Sequence, residues 1–291
     1  MTGVALLAPT IASGQGQACF GAASRDPENP CVNDALRLVA EPSPAVARTL
    51  PNSPCRSISV GSPAVCRFGV TSGPAVALVG DSHAGHWRAA LELVATAKGW
   101  SGLSITRTSC PLQQALRDLP EPRRTQCREW KRDVFAWFTS HPEVETVFVA
   151  GLSGGSGVVP RRGQRRFEAS VQGYVDAWKT LPGRRIVVLR DTPKFRGDTD
   201  ICVARALKRA LAPGRTCAVS RSFALERDPA MVAATRAGVE TVDLTRFFCD
   251  DRCYPVIGGA LVVRDANHMT GTYATTLGPY VLRALDRLTG S

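Results

Sequence analysis

Val76-Ala-Leu-Val-Gly-Asp-Ser-His83 is an apolar run that stops abruptly at a Gly-Asp-Ser turn. A short uninterrupted apolar run predicts a strand buried on both faces, as in the parallel sheets of α/β proteins. The turn places the hydroxyl of Ser82 at the carboxyl end of that strand, where such sheets bind ligands. Taken alone, the tripeptide is at least as typical of an ordinary strand-to-helix turn in which Asp81 or Ser82 caps the helix.

From Pro74 onward, apolar runs alternate with amphipathic helical patterns. This alternation predicts an α/β protein: a three-layer α/β/α sandwich around a five-stranded parallel sheet. The predicted strands are Ala75–Val79, Gly102–Thr106, Thr146–Ala150, Arg185–Leu189 and Glu240–Val242. The predicted helices are His86–Lys98, Gln126–Thr139, Arg166–Thr180, Ile201–Leu211 and Tyr273–Arg287. A small hairpin is expected over Pro255–Val263, around Gly258-Gly259.

Residues from about Gln17 to Gly73 lack this alternation and are rich in Pro, Ser and Cys, with one possible short helix at Asn33–Val39. We expect residues 17–73 to form a disulfide-pinned extension that packs on the main domain, residues 74–291. Residues 1–16 are mildly apolar, but they lack the positive start of a signal peptide and are too short to cross a bilayer. We interpret them as a linker or the end of a membrane segment of a longer, exported protein.

Ten cysteines are present, and none forms a Cys-x-x-Cys motif. An even number without such motifs favours disulfides over zinc or redox chemistry, and the four histidines form no ligand cluster with them. We therefore predict no metal and no cofactor, and an oxidising compartment outside the cytoplasm. Among many possible connectivities, pairing of sequence neighbours is the simplest: Cys19 with Cys31, Cys55 with Cys66, Cys110 with Cys127, Cys202 with Cys217, and Cys249 with Cys253.

The net charge is +11, from 36 Lys and Arg against 25 Asp and Glu. The basic residues are mostly scattered arginines, and the densest run, Arg161-Arg162-Gly-Gln-Arg165-Arg166, contains no aromatic residue for stacking on bases. This pattern argues against nucleic-acid binding. It favours a solvated arginine-rich surface, with attraction to anionic envelope polymers or lipid headgroups as the alternative.

An acid and an imidazole, Asp265 and His268, lie close together near the C-terminus. Imidazole is the natural base near neutral pH, and a carboxylate on its other nitrogen sets its tautomer and orientation. With Ser82 these residues supply the side chains that turn a serine into a nucleophile. A loop aspartate that caps the following helix is the alternative for Asp265. The order of the motifs, strand–Gly-Asp-Ser first and Asp-x-x-His before the last helix, favours the triad.

In this order of motifs the chain resembles the SGNH (GDSL-like) hydrolase superfamily. More narrowly, it resembles the SGNH domain attached to acyltransferase-3 membrane proteins that O-acetylate bacterial cell-envelope glycans. The resemblance covers about residues 17–288 and implies a flavodoxin-like fold, with Ser82 as nucleophile, His268 as base and Asp265 as its orienting acid. The similar segments are Ala18–Ala23, Leu78–Trp87, Thr108–Pro111, Leu189–Pro193, Cys249–Cys253 and Val263–Tyr273.

The chain departs from the wider superfamily at the oxyanion hole, which a Gly in a second block and an Asn in a third usually complete. Here the third strand ends Val147-Phe-Val-Ala-Gly-Leu-Ser-Gly-Gly155, without an Asn. We therefore expect the backbone N–H of Ser82 to be the main oxyanion donor, with the Gly151–Gly155 loop, including Gly151 and Ser153, as the second candidate.

Three further residues are candidates for substrate binding. His83 either packs under the turn or contacts the acyl acceptor, and it competes with His268 as the base. Arg190 binds substrate or pairs with Asp191, and Asn267 forms a hydrogen bond near the site or shapes the turn.

The resemblance implies an exported serine-dependent O-acyltransferase, of O-acetyl type, that acts on hydroxyls of envelope polysaccharide or glycolipid through an acyl-serine. Its partner would be an acyltransferase-3 membrane domain on the same full-length chain, which delivers the acyl donor. It would work in the periplasm or on the outer face of the membrane. A secreted GDSL-type esterase of carbohydrate or lipid is the first alternative. A non-catalytic domain that binds glycan or scaffolds a membrane acyltransferase is the second.

Overall fold

The computed structural model describes residues 17–50, 56–59, 61–154 and 157–290. Its strands are β1 Arg56–Ser59, β2 Val65–Gly69, β3 Ala75–Gly80, β4 Ser101–Thr106, β5 Val144–Ala150, β6 Arg185–Leu189, β7 Val219–Ser220, β8 Glu240–Val242, β9 Arg252–Cys253, β10 Val256–Ile257 and β11 Ala260–Leu261. Its α-helices are α1 Pro44–Thr49, α2 Ser82–His86, α3 Arg88–Lys98, α4 Arg123–Ser140, α5 Arg166–Lys179, α6 Thr199–Lys208, α7 Pro213–Thr216, α8 Arg221–Ala224, α9 Pro229–Ala237 and α10 Gly271–Thr289. Single 3₁₀ turns cover Gly21–Arg25, Asp34–Leu36 and Thr245–Phe247.

The central sheet has the strand order β1-β2-β4-β3-β5-β6-β8. The five strands β4, β3, β5, β6 and β8 are parallel, which confirms the predicted parallel sheet. Among these five, β3 comes first in the chain, with β4 on one side and β5 on the other, so the strand order is flavodoxin-like. The chain crosses from β3 to β4 on one side and then from β4 back to β5 on the other side of β3, which opens a crevice at the carboxyl end of β3. Ser82 lies in that crevice.

Two antiparallel strands from the N-terminal extension, β1 and β2, enlarge the sheet beyond the prediction. Strand β2 pairs with β4, and Phe68 lies opposite Gly102. A side chain on Gly102 would meet the Phe68 ring at 2.3 Å, so the glycine makes room for the aromatic ring. Both strands are short and neither alternates polar and apolar residues, which explains why their sequence does not predict them.

Helices cover both faces of the sheet and complete the predicted three-layer sandwich. Along β3, Val76 and Leu78 join the cluster that includes α3 and α10, while Ala77 and Val79 join the one that includes α4, α5 and α9. All four are buried, with at most 3% of their surface exposed. Burial on both faces explains why this strand is an unbroken apolar run.

Two local predictions concern the hairpin at Pro255–Val263 and the short helix at Asn33–Val39. The hairpin is confirmed: β10 and β11 pair antiparallel around Gly258 and Gly259, both with positive φ. The predicted helix at Asn33–Val39 is wrong, because that segment forms only a single 3₁₀ turn, Asp34–Leu36. One turn is too short to recover the cost of helix nucleation.

The described part of residues 17–50 packs against α10. Arg283 donates to Asp26 at 2.9 and 3.0 Å, and the backbone N–H of Ala22 donates to the hydroxyl of Thr276 at 3.0 Å. Within the described residues, no helix is both long and apolar enough to cross a bilayer. The expectation for residues 1–16 lies outside the described residues.

Four of the expected disulfides are present: Cys19–Cys31, Cys110–Cys127, Cys202–Cys217 and Cys249–Cys253. Cys66 is disulfide-bonded as well, while its expected partner Cys55 lies outside the described residues. Each described bridge therefore closes a short loop between sequence neighbours, as the sequence analysis expects.

The Cys202–Cys217 bridge joins α6 to the segment after α7 across 15 residues of sequence. Replacing both cysteines with serine is expected to lower the free energy of unfolding by about 3 kcal/mol, because the unfolded chain gains conformational freedom. Urea denaturation followed by circular dichroism measures this loss. A difference below about 1 kcal/mol would show that this bridge contributes little to stability.

Candidate active site

The turn after β3 presents Ser82 at the start of α2. Asp81 precedes it and caps this helix, with its Oδ1 accepting the backbone N–H of His83 at 2.9 Å. Gly80 has a φ of 153°, and a side chain here would come within 1.9 Å of the carbonyl oxygen of Ala150 on β5. Only glycine fits this position. The close packing of β3 against β5 therefore explains Gly80, and the helix cap explains Asp81.

Three side chains form a hydrogen-bonded series at this turn. The Oγ of Ser82 lies 2.9 Å from His268 Nε2, and His268 Nδ1 lies 2.8 Å from Asp265 Oδ2. Asp265 Oδ1 in turn accepts the backbone N–H groups of Asn267 at 2.9 Å and of His268 at 2.8 Å. With Nδ1–H donated to the carboxylate, Nε2 is left to accept the serine proton. Chemically, this arrangement can generate a serine nucleophile.

Asp265 stays ionised in this setting. Burial alone would raise the pKa of its carboxyl group, but hydrogen bonds from the His268 side chain and from two backbone N–H groups outweigh it and hold the pKa well below its ordinary value. The side chains of Asp265 and His268 remain 46% and 24% exposed. A small molecule can therefore approach the imidazole from solvent.

A second, fully buried pair lies under the turn. His83 Nδ1–H donates to Asp191 Oδ1 at 2.7 Å, and the two side chains are only 1% and 2% exposed. Burial alone would lower the pKa of His83, but the charge of Asp191 and the hydrogen bond to it raise the pKa to about 9. His83 is thus an imidazolium at neutral pH, packed under the turn with its ring centre 5.0 Å from that of His268. Of the two histidines, it is His268 that reaches the Ser82 hydroxyl.

Buried aspartates hold the loop that follows β5. Asp81 Oδ2 accepts the backbone N–H of Leu152 at 3.1 Å, and Asp191 Oδ2 accepts that of Ser153 at 2.7 Å. The N–H of Ser153 therefore already donates to a carboxylate within the protein, contrary to its expected role as an oxyanion donor. A side chain on Gly151 would meet the Tyr174 hydroxyl at 2.7 Å, so tight packing explains this glycine. Donation by the N–H groups of Ser82 and Gly151 stays a prediction.

Arg190 and Asn267 occupy the rim of the site. Arg190 Nη1 donates to Asp243 at 2.8 Å rather than to its neighbour Asp191. The backbone of Asn267 shapes the Asp265 turn, and its side chain lines a cavity of 250 Å³ together with Ser153 and other residues of the loops after β5 and β6. We refer to this cavity as the rim cavity; Asn267 on its wall directly precedes His268 in the chain.

Sequence reasoning missed Asp228, which the structure connects to the site. Its Oδ2 accepts the backbone N–H of Asp191 at 3.1 Å, and its Oδ1 caps α9 by accepting the N–H of Ala230 at 2.9 Å. Burial, followed by the charge of Asp191, raises the pKa of Asp228 to about 6. The one available signal, Asp before Pro229 at a helix start, indicates a cap and nothing about the site.

Among the described residues, His83, His86 and Asp191 come close enough together to be considered as metal ligands. Two nitrogen or oxygen ligands of a tetrahedral zinc ion lie roughly 3.3 Å apart. His83 Nδ1 and Asp191 Oδ1 are 2.7 Å apart, which is a hydrogen-bond distance. The Nδ1 of His86 is also already used, because it accepts the N–H of Met269 at 3.3 Å. The geometry favours a hydrogen-bonded ion pair over a metal site.

The His83–Asp191 pair predicts a pH-dependent stability. The pKa of His83 rises on folding from 6.5 to about 9, so its contribution is complete below pH 6.5 and is lost as the pH rises toward 9. We expect the free energy of unfolding to fall over this interval by an amount on the order of 3 kcal/mol. Urea titrations at a series of pH values measure this decline. In Asp191→Asn and His83→Gln variants the decline should be smaller than in the wild type, and a decline as large as that of the wild type in both variants would contradict this explanation.

The family described as the SGNH domain fused to AT3 domains matches residues 52–283. Among solved structures, the periplasmic domain of a lipopolysaccharide acetyltransferase from Salmonella ser. Paratyphi A superposes with a TM-score of 0.57 at 13% identity, over 73% of this chain and 85% of that chain. At this identity the likeness shows the fold alone. No curated protein matches the chain. The family match supports an enzyme of the acyl-transfer or ester-hydrolysis kind.

Proposed function

Because this chain belongs to the family of SGNH domains that are fused to AT3 domains, we propose that it is an exported serine-dependent O-acyltransferase domain. The observation that carries the proposal is the hydrogen-bonded series from Ser82 through His268 to Asp265, with distances of 2.9 and 2.8 Å. The acyl group, of acetyl type, passes through an ester on Ser82 to a hydroxyl of an envelope polysaccharide or glycolipid.

In the first half of the reaction, the Ser82 oxygen attacks the carbonyl carbon of the acyl donor while His268 Nε2 takes the hydroxyl proton. The negative charge on the carbonyl oxygen is stabilised by backbone N–H donors, for which Ser82 and Gly151 are the candidates. Asp265 stabilises the imidazolium that forms. When the tetrahedral intermediate collapses, His268 returns the proton to the leaving group and the acyl-serine remains.

In the second half, a sugar hydroxyl attacks the acyl-serine and gives its proton to His268. The Ser82 oxygen then leaves and recovers the proton from His268, so the site returns to its starting state. The exposure of His268 and Asp265 supports this step, because a bulky glycan must reach the imidazole from outside. The rim cavity beside Asn267 offers 250 Å³ for the acceptor.

Hydrolysis by water is the competing outcome of the same chemistry, so a secreted esterase is the second candidate. Because the His268 imidazole is partly exposed, water can reach it by the same route as a glycan. A purely binding or scaffolding domain has less support, since it needs neither the serine–imidazole hydrogen bond nor an oriented carboxylate.

The donor and the location are part of the proposal. Fusion to AT3 domains in this family supports delivery of the acyl group by a membrane domain. The disulfides support an oxidising compartment, either the periplasm or the outer face of the membrane. The neighbouring acetyltransferase structure is likewise a periplasmic domain.

A partition experiment tests the proposal. The domain is incubated with p-nitrophenyl acetate and a panel of envelope oligosaccharides, and both free acetate and O-acetylated sugar are measured. Ser82-dependent acetylation of a sugar would support transfer. Ser82-dependent release of acetate with every acceptor left unmodified would assign the domain as an esterase. Absence of Ser82-dependent turnover would favour the binding domain.

A further inference from the structure

The run of arginines in the sequence, which the proposed chemistry does not use, lines a cleft in the folded protein. The cleft measures 710 Å³ and its walls carry four arginines and one aromatic ring: Arg161, Arg162, Arg165, Arg227 and Phe167. We refer to it as the arginine cleft. A concave space of this size suits a small molecule or a few units of a polymer. The four cationic side chains indicate that its ligand is anionic.

These four guanidinium groups are available to a ligand. Within the described residues, none of them forms a hydrogen bond or an ion pair. The neighbouring Arg166, in contrast, is used to hold the segment and donates to Asp118 at 2.6 Å. Arg227 lies over the ring of Phe167, with its guanidinium carbon 4.3 Å from the ring centre, which fixes its plane at the cleft wall.

The cleft contains one carboxylate, Glu168, whose charge is already compensated. Arg236 Nη2 donates to Glu168 Oε2 at 3.1 Å, from the adjacent helix α9. The cleft also includes the first turn of α5, which begins without a side-chain cap at Arg165. The positive end of the helix dipole therefore adds to the arginine charges. The net field of the cleft favours carboxylates or phosphates, which arginine binds with two parallel hydrogen bonds.

The arginine cleft lies on the same edge of the sheet as Ser82. The loop from β5 to α5 carries Arg161 to Arg165 and leaves the carboxyl end of β5. Arg227 precedes Asp228, which is hydrogen-bonded to the backbone at the carboxyl end of β6. Residues on the wall of the rim cavity adjoin both the triad and the arginine cleft in sequence. Asn267 directly precedes His268, and Glu226 directly precedes Arg227.

We propose that the arginine cleft binds the anionic groups of an acidic acceptor glycan, whose hydroxyl lies in the rim cavity and is acylated at Ser82. The inference rests on the proposed function for its last step, while binding itself does not depend on it. A glycan fits better than a membrane surface, because the site is concave and among its lining residues only Phe167 is apolar and it is already covered by Arg227.

The test compares two triple variants with the same change in net charge. The cleft variant carries Arg161→Gln, Arg162→Gln and Arg165→Gln, and the control carries Arg128→Gln, Arg205→Gln and Arg209→Gln on the exposed surfaces of α4 and α6 and at the end of α6. Calorimetry measures binding of tetragalacturonate, of phosphorylated pentamannose and of a neutral tetrasaccharide. We expect at least one acidic oligosaccharide to bind, with affinity reduced about tenfold or more in the cleft variant and little changed in the control.

Three results would overturn the inference: binding of neither acidic oligosaccharide, equal weakening in both triple variants, or equal binding of the neutral sugar. Vesicles with and without phosphatidylglycerol form a further arm. If only vesicle binding depends on the cleft arginines, the site is a membrane contact instead. Hydrolysis of p-nitrophenyl acetate should be equal in all three proteins. If Ser82-dependent turnover is absent while cleft-dependent binding persists, the proposed function fails and the glycan site stands.

Discussion

Replacing Ser82 with alanine is expected to reduce turnover of p-nitrophenyl acetate by about 10⁴- to 10⁶-fold. The reason is that Ser82 Oγ, 2.9 Å from His268 Nε2, is the group that attacks the acyl carbon in the proposed reaction. Its loss leaves His268 without a nucleophile to activate. Steady-state kinetics of the purified domain measure the change, and the thermal melting curve should be little altered because the hydroxyl is the only group removed.

Ser140→Ala is the matched control for this experiment. Ser140 ends α4, and its hydroxyl contacts carbonyls of its own helix and Nδ1 of the adjacent His141, far along the chain from Ser82, so this variant should keep wild-type activity. If Ser82→Ala and Ser140→Ala turn over the ester at the same rate, the hydrolysis comes from surface nucleophiles and the assignment of Ser82 fails.

Replacing Asp265 with asparagine is expected to lower turnover by about 10²- to 10⁴-fold. The asparagine oxygen can still accept the backbone N–H groups of Asn267 and His268, so its amide nitrogen then faces His268 Nδ1. An imidazole that accepts at Nδ1 carries its proton on Nε2, and in that tautomer it cannot take the proton of Ser82. The effect should be mainly on kcat, since the volume of the side chain is unchanged.

Asp176→Asn provides the control for removal of one negative charge. Asp176 lies on α5 and accepts from Gln172 on the surface of the same helix. Wild-type kinetics in this variant, together with the loss in Asp265→Asn, would support orientation of His268 by the carboxylate. An Asp265→Asn enzyme of full activity would contradict that role and leave the aspartate as a turn residue.

The parallel sheet and the positions of the three key side chains are predictable because local signals determine them. An apolar run ending in Gly80, Asp81 and Ser82 can hardly be placed anywhere but in a buried strand and its turn. The orientation of Asp265 toward His268 is also determined locally, since the same carboxylate accepts the backbone N–H of His268. The structure brings these side chains together with Ser82, while their roles in catalysis stay predictions.

The remaining features depend on contacts between distant segments, which no local pattern records. Strand β2 joins the sheet through pairing of Phe68 with Gly102, and neither residue signals the other in sequence. Similarly, the N–H of Ser153 is lost as an oxyanion donor because Asp191, in the loop after β6, accepts it. The arginine cleft follows the same logic, because Arg227 meets Arg161 to Arg165 only after folding.

A buried hydrogen-bonded layer lies under the turn that carries Ser82. Asp191 accepts the N–H of Ser153 and the Nδ1–H of His83, and Asp228 accepts the N–H of Asp191. The layer thus joins the turn after β3 to the loops after β5 and β6. Ser153 and Asp191, which these hydrogen bonds join, both line the rim cavity.

The acyl-serine itself is the most direct test of the account. Wild-type protein is mixed with an activated acetyl ester, quenched in acid during turnover and examined by intact and peptide mass spectrometry. We expect one acetyl group on the peptide that contains Ser82, lost on addition of an acceptor oligosaccharide that becomes acetylated, and absent from Ser82→Ala. An acetyl group that persists in Ser82→Ala, or turnover in the wild type without any acetylated Ser82, would contradict transfer through this serine.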